Sequence, residues 1–324
     1  MLPAVSTHEA PALSEEQIDQ VLRRTAEAYG QQMRSPIMHL PSEAGLDYQD
    51  VTFTATDGVP LEAWYIPAPG SDRLIIANHP RGFSRSGLPA HLEPWKSIWS
   101  PSGNGFEVNF IPDYKILHDA GYNILTYDLR NHGHSSAANG GIVSSGLFEA
   151  RDVVGSLRYV RGRPDTQDMT LGLFSRCLGC NSTFVAMSQH PGDFEGVRCL
   201  VAPEPLTPSV IAEKLLGLAG VPLNRMADLD ARVVVTTGID FGRRDPKDWV
   251  KGVRVPSFIY QVRDDVLSDR DDMQVMFDNI PVADKHLQWI EDSPVRWDGY
   301  LEFQRRPEPM LAWFEKSGVS ISLP

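Results

Sequence analysis

Cysteine is scarce: Cys177, Cys180 and Cys199 are the only three in 324 residues. They are too few and too clustered for the disulfide framework of a small secreted domain. Long hydrophobic runs are missing as well, since no stretch approaches the roughly 18 uncharged residues of a membrane span. The N-terminus, "MLPAVSTHEAPALSEEQIDQ", lacks a basic segment followed by an apolar run, so it does not read as a secretory signal. A cytoplasmic location is the resulting expectation. Positive charge is also in short supply: 30 Lys and Arg stand against 42 Asp and Glu, a formal net charge of -12. Such a surface is repelled by phosphate backbones and anionic lipids, which argues against nucleic acid and membrane partners. Beyond Cys177-x-x-Cys180 there is no second C-x-x-C and no H-x₃-H, so a four-ligand zinc site cannot be assembled. No metal and no cofactor are expected, and no internal repeat occurs.

What remains is a soluble composition, 42% hydrophobic and 22% charged, in a chain long enough for one large core. Residues 1–13 are rich in Pro and Ala and read as poorly ordered. Ser14 with Gln17 forms a capping-box signature, and Ile18, Val21, Leu22, Ala26 and Tyr29 then mark one helical face. Residues 1–47 are therefore expected to be a helical appendage.

From Tyr48 the period becomes two. Val51, Phe53 and Ala55 alternate, "TDG" (56–58) supplies a turn, and Leu61, Ala63 and Tyr65 alternate again, which predicts a hairpin. "RLIIANH" (73–79) suits a strand buried on both faces. An irregular stretch with Trp95, Trp99 and Phe106 follows over residues 80–112, long enough to be a lid or binding loop. Strands and helices then alternate. Strands are predicted at 122–128, 169–174, 197–202, 256–262 and 285–291, and helices at 146–160, 177–190, 268–280 (capped by Ser268) and 307–317. Residues 203–254 are helical without a sheet partner and read as a cap or lid. The alternation means parallel βαβ units and a mostly parallel sheet covered on both faces, with residues 48–202 and 255–317 forming the core.

The strand "MTLGLF" runs straight into the helix "LGCNSTFVAM" through Ser175-Arg176-Cys177. So sharp a reversal crowds the residues two before and two after its apex, and here they are Ser175 and Gly179. The pattern is small-x-Cys-x-Gly where hydrolases of this architecture carry Gly-x-Ser-x-Gly. At this point the sequence resembles the α/β-hydrolase family over roughly residues 48–317. "ANHPRG" (77–82) matches the family's oxyanion-loop segment and "YDLRNHGHSS" (127–136) its loop after the fourth strand. "QVRDDVLS" (261–268) lies where the family places its acid, with Asp265 the best match.

Cys177 at a helix N-terminus is placed to be a nucleophile, because the helix dipole favours thiolate. The backbone N–H of Leu178 points at the same space, and Arg81, following a proline that has no N–H, is the expected second oxyanion donor. A small buried residue in a decayed turn is the plainer reading of Cys177. A redox pair with Cys180 is a third, though the surroundings are not those of a thioredoxin-like unit.

The family's base, a His after the last strand, is missing. "WIEDSPVRWDGYLEF" (289–303) has none, and Arg296 or Trp297 falls at that position. Arginine cannot accept a proton at neutral pH. His79 (at the end of the strand expected beside that of Cys177) and His91 (on the insertion) are the candidate replacements, while His132 and His134 read as structural. Otherwise Arg296 or the helix dipole holds Cys177 as thiolate; water then deacylates slowly, and a thiol or amine acceptor remains competent. Arg296, Trp297 and His91 are the candidates for substrate binding, Arg296 alternatively for pairing with Asp264 or Asp298; Asp298 reads as structural, and Glu204, at the end of strand 197–202, either faces the pocket or, more plainly, is a surface residue. The expected function is acyl chemistry on an ester, thioester or lactone, small or carrier-bound, through a Cys177 acyl-enzyme, with hydrolysis the default and transfer favoured if no base is found. The rival is a binding protein that kept the pocket. Oligomeric state is left open.

Overall fold

Strands form where apolar residues run or alternate, and all the predicted ones are present. The computed structural model describes residues 13–319, so the reading of residues 1–13 as poorly ordered lies, save for Leu13, outside the described residues. The hairpin is β1 (Gln49–Thr54) and β2 (Pro60–Ile66). Then come β3 (Arg73–Asn78), two short segments β4 (Gly87–Leu88) and β5 (Val108–Asn109), β6 (Asn123–Tyr127), β7 (Thr170–Ser175), β8 (Val197–Pro203), β9 (Ser257–Val262) and β10 (Lys285–Ile290). Eight of these make one sheet in the order β1-β2-β6-β3-β7-β8-β9-β10. β1 and β2 pair antiparallel, as do β2 and β6, and every later pair is parallel. β4 and β5 form a separate antiparallel ribbon inside the 80–112 insertion. β3, β6 and β9 are buried at every position, the signature of strands covered on both faces.

Helices cover both faces. In chain order they are α1 (Glu15–Gly30), α2 (Trp95–Trp99), α3 (Ile111–Asp119), α4 (Ala150–Gly162), α5 (Leu178–Gln189), α6 (Pro208–Leu218), α7 (Met226–Thr237), α8 (Pro246–Trp249), α9 (Arg270–Asp278), α10 (Arg296–Arg305) and α11 (Glu308–Lys316). One core cluster joins the sheet to α4, α5 and α9 through Val153, Leu157, Phe184 and Met273. The other joins it to α3, α10 and α11 through Tyr114, Leu117, Phe303 and Phe314. α1 is capped as the sequence suggests, with Ser14 and Gln17 bonding reciprocally. It buries Ile18, Leu22, Ala26 and Tyr29 against Ala212, Leu216, Leu229 and Val233 of α6 and α7. The appendage and the segment after β8 thus form one small apolar layer.

Two local expectations need correction, and one helix goes unpredicted. The helix after β9 is capped by Asp269, whose carboxylate accepts from the amides of Asp271 and Asp272, and not by Ser268. The helix predicted from residue 146 begins at Ala150, because the buried Glu149 carboxylate holds the amides of Ser144 and Gly146 in the preceding loop. The stretch 296–305, to which the sequence reading assigns no element, is α10.

Candidate active site

β7 enters α5 through a bend whose apex is Cys177, at φ 49° and ψ -107°. Left-handed φ is strained for a side chain with a Cβ, and such residues are held in place by their surroundings. Here the holding is specific. The Cys177 amide donates to Pro203 O at 3.0 Å and its carbonyl accepts from Asn181 N at 3.0 Å. Ser175 Oγ accepts from Asn78 Nδ2 at 2.8 Å and bonds Thr183 Oγ1 at 2.9 Å. A Cβ at Gly179 would stand 2.6 Å from Asn78 Cβ and 3.1 Å from the Asn78 carbonyl, so only glycine lets β3 and α5 approach this closely. The smallness of Gly179 follows from this contact, while Ser175 is fixed by its bonds to Asn78 and Thr183.

Cys177 is 5% exposed and lines a cavity of about 280 Å³. α1 and the segment after it form one wall with Tyr29 and Met33, and Ile211 and Leu215 of α6 another. Trp95, Ile98 and Trp99 of α2 bring the insertion over the site, and Trp99 packs against Trp297 with ring centroids 5.5 Å apart. Leu178 and Arg81, the expected oxyanion donors, both line it, as do Arg296 and Trp297. The Arg81 side chain turns away to α1, donating to Ala28 O at 2.7 Å and Gln32 Oε1 at 3.2 Å and lying 4.3 Å over the Tyr29 ring.

Two proposed residues do not reach the site. His79 is buried with both ring nitrogens engaged: Nδ1 donates to Pro80 O at 2.7 Å, and Nε2 accepts from Leu129 N at 2.9 Å. That pattern fixes a neutral tautomer with no free lone pair, and burial lowers its pKa to about 4. It is absent from the cavity wall, so the structure overturns its role as base. His91 is exposed and is also absent from that wall, although α2 beside it contributes. Its expected substrate contact is likewise overturned.

At the position of the missing imidazole stands a buried cluster of one arginine and two acids. Arg296 Nη1 lies 2.8 Å from Asp265 Oδ2 and 3.0 Å from Glu204 Oε2, and Nη2 donates to the Glu204 carbonyl. Asp265 also accepts from Leu267 N at 2.9 Å. Glu204 is fully buried, correcting its reading as a surface residue, and its Oε1 accepts from Val262 N at 2.7 Å. Burial, reinforced by the Asp265 charge and opposed by Arg296, raises the Glu204 pKa to about 8. Asp298 instead pairs with Arg305 at 2.8 Å, the structural role expected of it.

Arg296 Nε donates to the Tyr300 hydroxyl at 3.1 Å, and that hydroxyl lies against the Cys177 sulfur. Burial first, with the sulfur adding, keeps the Tyr300 proton bound well above the ordinary phenol range. Sequence reasoning missed Tyr300. The available signal was the i, i+4 spacing of Arg296 and Tyr300 with Trp297 and Phe303 between and beyond them, which places both on one helix.

Cys180 points inward, its sulfur bonded to the carbonyls of Ser175 and Pro203, and burial pushes its thiol well above the usual range. All three cysteines are free. No helix among the described residues is long and apolar enough to cross a membrane.

The overall fold recurs in solved structures. The esterase Pf2001 of Pyrococcus furiosus superposes with a TM-score of 0.65 at 19% identity, over 89% of this chain and 96% of that one. The α/β hydrolase GrgF of Penicillium sp. sh18 gives 0.58 at 16%, over 84% and 99%. Dienelactone hydrolase from Anabaena variabilis gives 0.53 at 14%, over 84% and 98%. The fold is that of the α/β hydrolases. No family model matches the sequence. Among curated proteins the chain is 27% identical over 157 residues to uncharacterized protein YfhR of Escherichia coli O157:H7, 47% of this chain and 45% of that protein. It is 26% identical over 211 residues to YfhR of Salmonella typhimurium, 61% and 62% respectively. The chain therefore covers less than two thirds of the length of the curated relatives it matches.

Proposed function

We propose that this chain is an acyl-transfer enzyme in which Cys177 takes the acyl group of a small or carrier-bound ester, thioester or lactone. The observation that carries the reading is the placement of Cys177 at a strained elbow apex, on the wall of a largely apolar cavity. Solved proteins of the same fold include an esterase and a dienelactone hydrolase, which supports acyl chemistry as the class. The Leu178 and Arg81 amides serve as the oxyanion donors. Arg296, anchored by Asp265 and Glu204, and the Tyr300 hydroxyl occupy the region of the customary imidazole and favour negative charge on sulfur and on the tetrahedral intermediate. Neither activates water. Hydrolysis of the acyl-enzyme is accordingly slow, and a thiol or amine acceptor is the faster route.

The test is intact-mass spectrometry after incubation with p-nitrophenyl butanoate. A single butanoyl adduct, mapped to Cys177 and absent from Cys177→Ala, is the expected result, and it decays faster with an added thiol or amine than in buffer alone. A second reading, a binding protein, is favoured by the lack of a lone pair on His79. It gains if no adduct forms with acyl groups of varied size.

A further inference from the structure

The cavity wall is short of acids. Among the described residues that line it there is no Asp, no Glu and no His, and its charged side chains are Arg81 and Arg296. A guanidinium does not release a proton at any relevant pH. Asp265 and Glu204 lie on the far side of Arg296, with Asp265 held in an ion pair and Glu204 walled in by the backbone of Gly299, where a Cβ would stand 2.0 Å from Glu204 Oε1. Tyr29, on the opposite wall, is stacked beneath Arg81. That leaves the Tyr300 hydroxyl as the protic group against the sulfur, and its burial makes it a donor of hydrogen bonds that keeps its proton.

Resting on the acyl-enzyme reading, we infer that the site accepts only acyl donors whose leaving group departs as a stable anion, with thioesters as the natural class. The sequence of bonds is balanced without a general acid. Cys177 loses its proton to solvent, and its thiolate forms a C–S bond to the acyl carbon. The tetrahedral intermediate expels the donor's thiolate with the electron pair of the breaking C–S bond, and that thiolate is protonated later by water. An amine or thiolate acceptor then attacks the Cys177 thioester, the acyl–Cys177 bond breaks, the thiolate is restored, and any amine proton passes to solvent. A thiol's pKa of about 8.5 makes its anion a competent leaving group, whereas an alkoxide, near water's 15.7, needs a proton as it departs.

The experiment measures acylation of Cys177 in the full-length chain by quenched-flow intact mass, with three probes sharing one acyl group. They are the butanoyl thioester of N-acetylcysteamine, p-nitrophenyl butanoate and ethyl butanoate. The thioester and aryl ester are expected to acylate Cys177, and the ethyl ester to be slower by about 10²–10⁴-fold, the share that general acid catalysis ordinarily supplies. In Tyr300→Phe all rates fall while the thioester-to-ethyl ratio stays the same. An ethyl ester within tenfold of the thioester overturns the inference, because a proton donor must then be at work. A ratio that widens in Tyr300→Phe overturns it too, naming the tyrosine as that donor. No adduct from any probe, while iodoacetamide still alkylates Cys177 in the same sample, overturns the acyl-enzyme reading itself.

Discussion

Arg296 Nε hands a hydrogen bond to the Tyr300 hydroxyl at 3.1 Å, which fills an acceptor site on that oxygen and leaves its own proton to donate within the cavity that Cys177 also lines. The pair stands one helical turn apart on α10 and replaces a ring that gives and takes protons with a guanidinium and a phenol that both keep theirs. Hydrogen bonds to a charged partner contribute about 1.5–3 kcal/mol. Tyr300→Phe should therefore slow acylation of Cys177 by p-nitrophenyl butanoate roughly 10- to 100-fold, and lower thermal stability because the buried Arg296 Nε loses its acceptor. Stopped-flow release of p-nitrophenolate measures the first, and a melting curve the second. An unchanged acylation rate removes Tyr300 from the site.

Arg296 is the single cation between two buried carboxylates, and deleting one member of such a group leaves the others unpaired. Arg296→Met should cost about 3–5 kcal/mol of stability in urea unfolding. Combining it with Glu204→Gln and Asp265→Asn should recover much of that loss, because the neutral trio no longer strands charge in the core. If the triple variant is as unstable as the single one, the cluster matters for its shape and not for its charge.

The elbow makes a steric prediction. Gly179→Ala adds a Cβ 2.6 Å from Asn78 Cβ and 3.1 Å from backbone atoms that β3 holds in place. Overpacking of this kind costs about 1–3 kcal/mol, and it shifts the turn that aims Cys177. Lowered stability together with an altered rate of iodoacetamide labelling at Cys177 is the expected outcome. Wild-type labelling in a wild-type melting curve contradicts the close approach of β3 and α5.

Much of this arrangement could be read in the sequence, for physical reasons that also mark where reading stops. The runs of β3, β6 and β9 are apolar because helices cover both faces, and Gly179 is small because the bend admits nothing larger. Such features are local or periodic. The choice among histidines is neither. His79 does directly follow the strand beside that of Cys177, but its Nε2 is taken by the amide of Leu129, 50 residues further along. A backbone bond from a distant loop leaves no mark in composition or spacing. Glu204 escaped for a similar reason. Its carboxylate is buried because Arg296 and Val262 N meet it there, and both belong to elements much later in the chain.

The histidine pair behind the site yields a prediction about pH. The rings of His79 and His132 stand 5.1 Å apart, both fully buried. Burial holds His79 to a pKa of about 4 and, with the neighbouring His79 adding, His132 to about 3. In the unfolded chain each titrates near 6.5. Between that value and the native one the unfolded state binds more protons, so stability from these groups is present above pH 6.5 and lost on acidification. The loss is roughly 2 kcal/mol per histidine between pH 7 and pH 5. Buried Asp113 and Asp152 pull the other way, since burial raises their pKa values to about 6 and about 7. The total slope therefore mixes signs, and the informative quantity is a difference. His132→Asn keeps a donor for Arg130 O, the partner of His132 Nδ1 at 2.8 Å. Its urea-unfolding free energy should fall less between pH 7 and pH 5 than that of the wild type, by about 2 kcal/mol. Equal falls in the two proteins mean that His132 is charged in the folded state, which its buried, unpartnered Nε2 forbids.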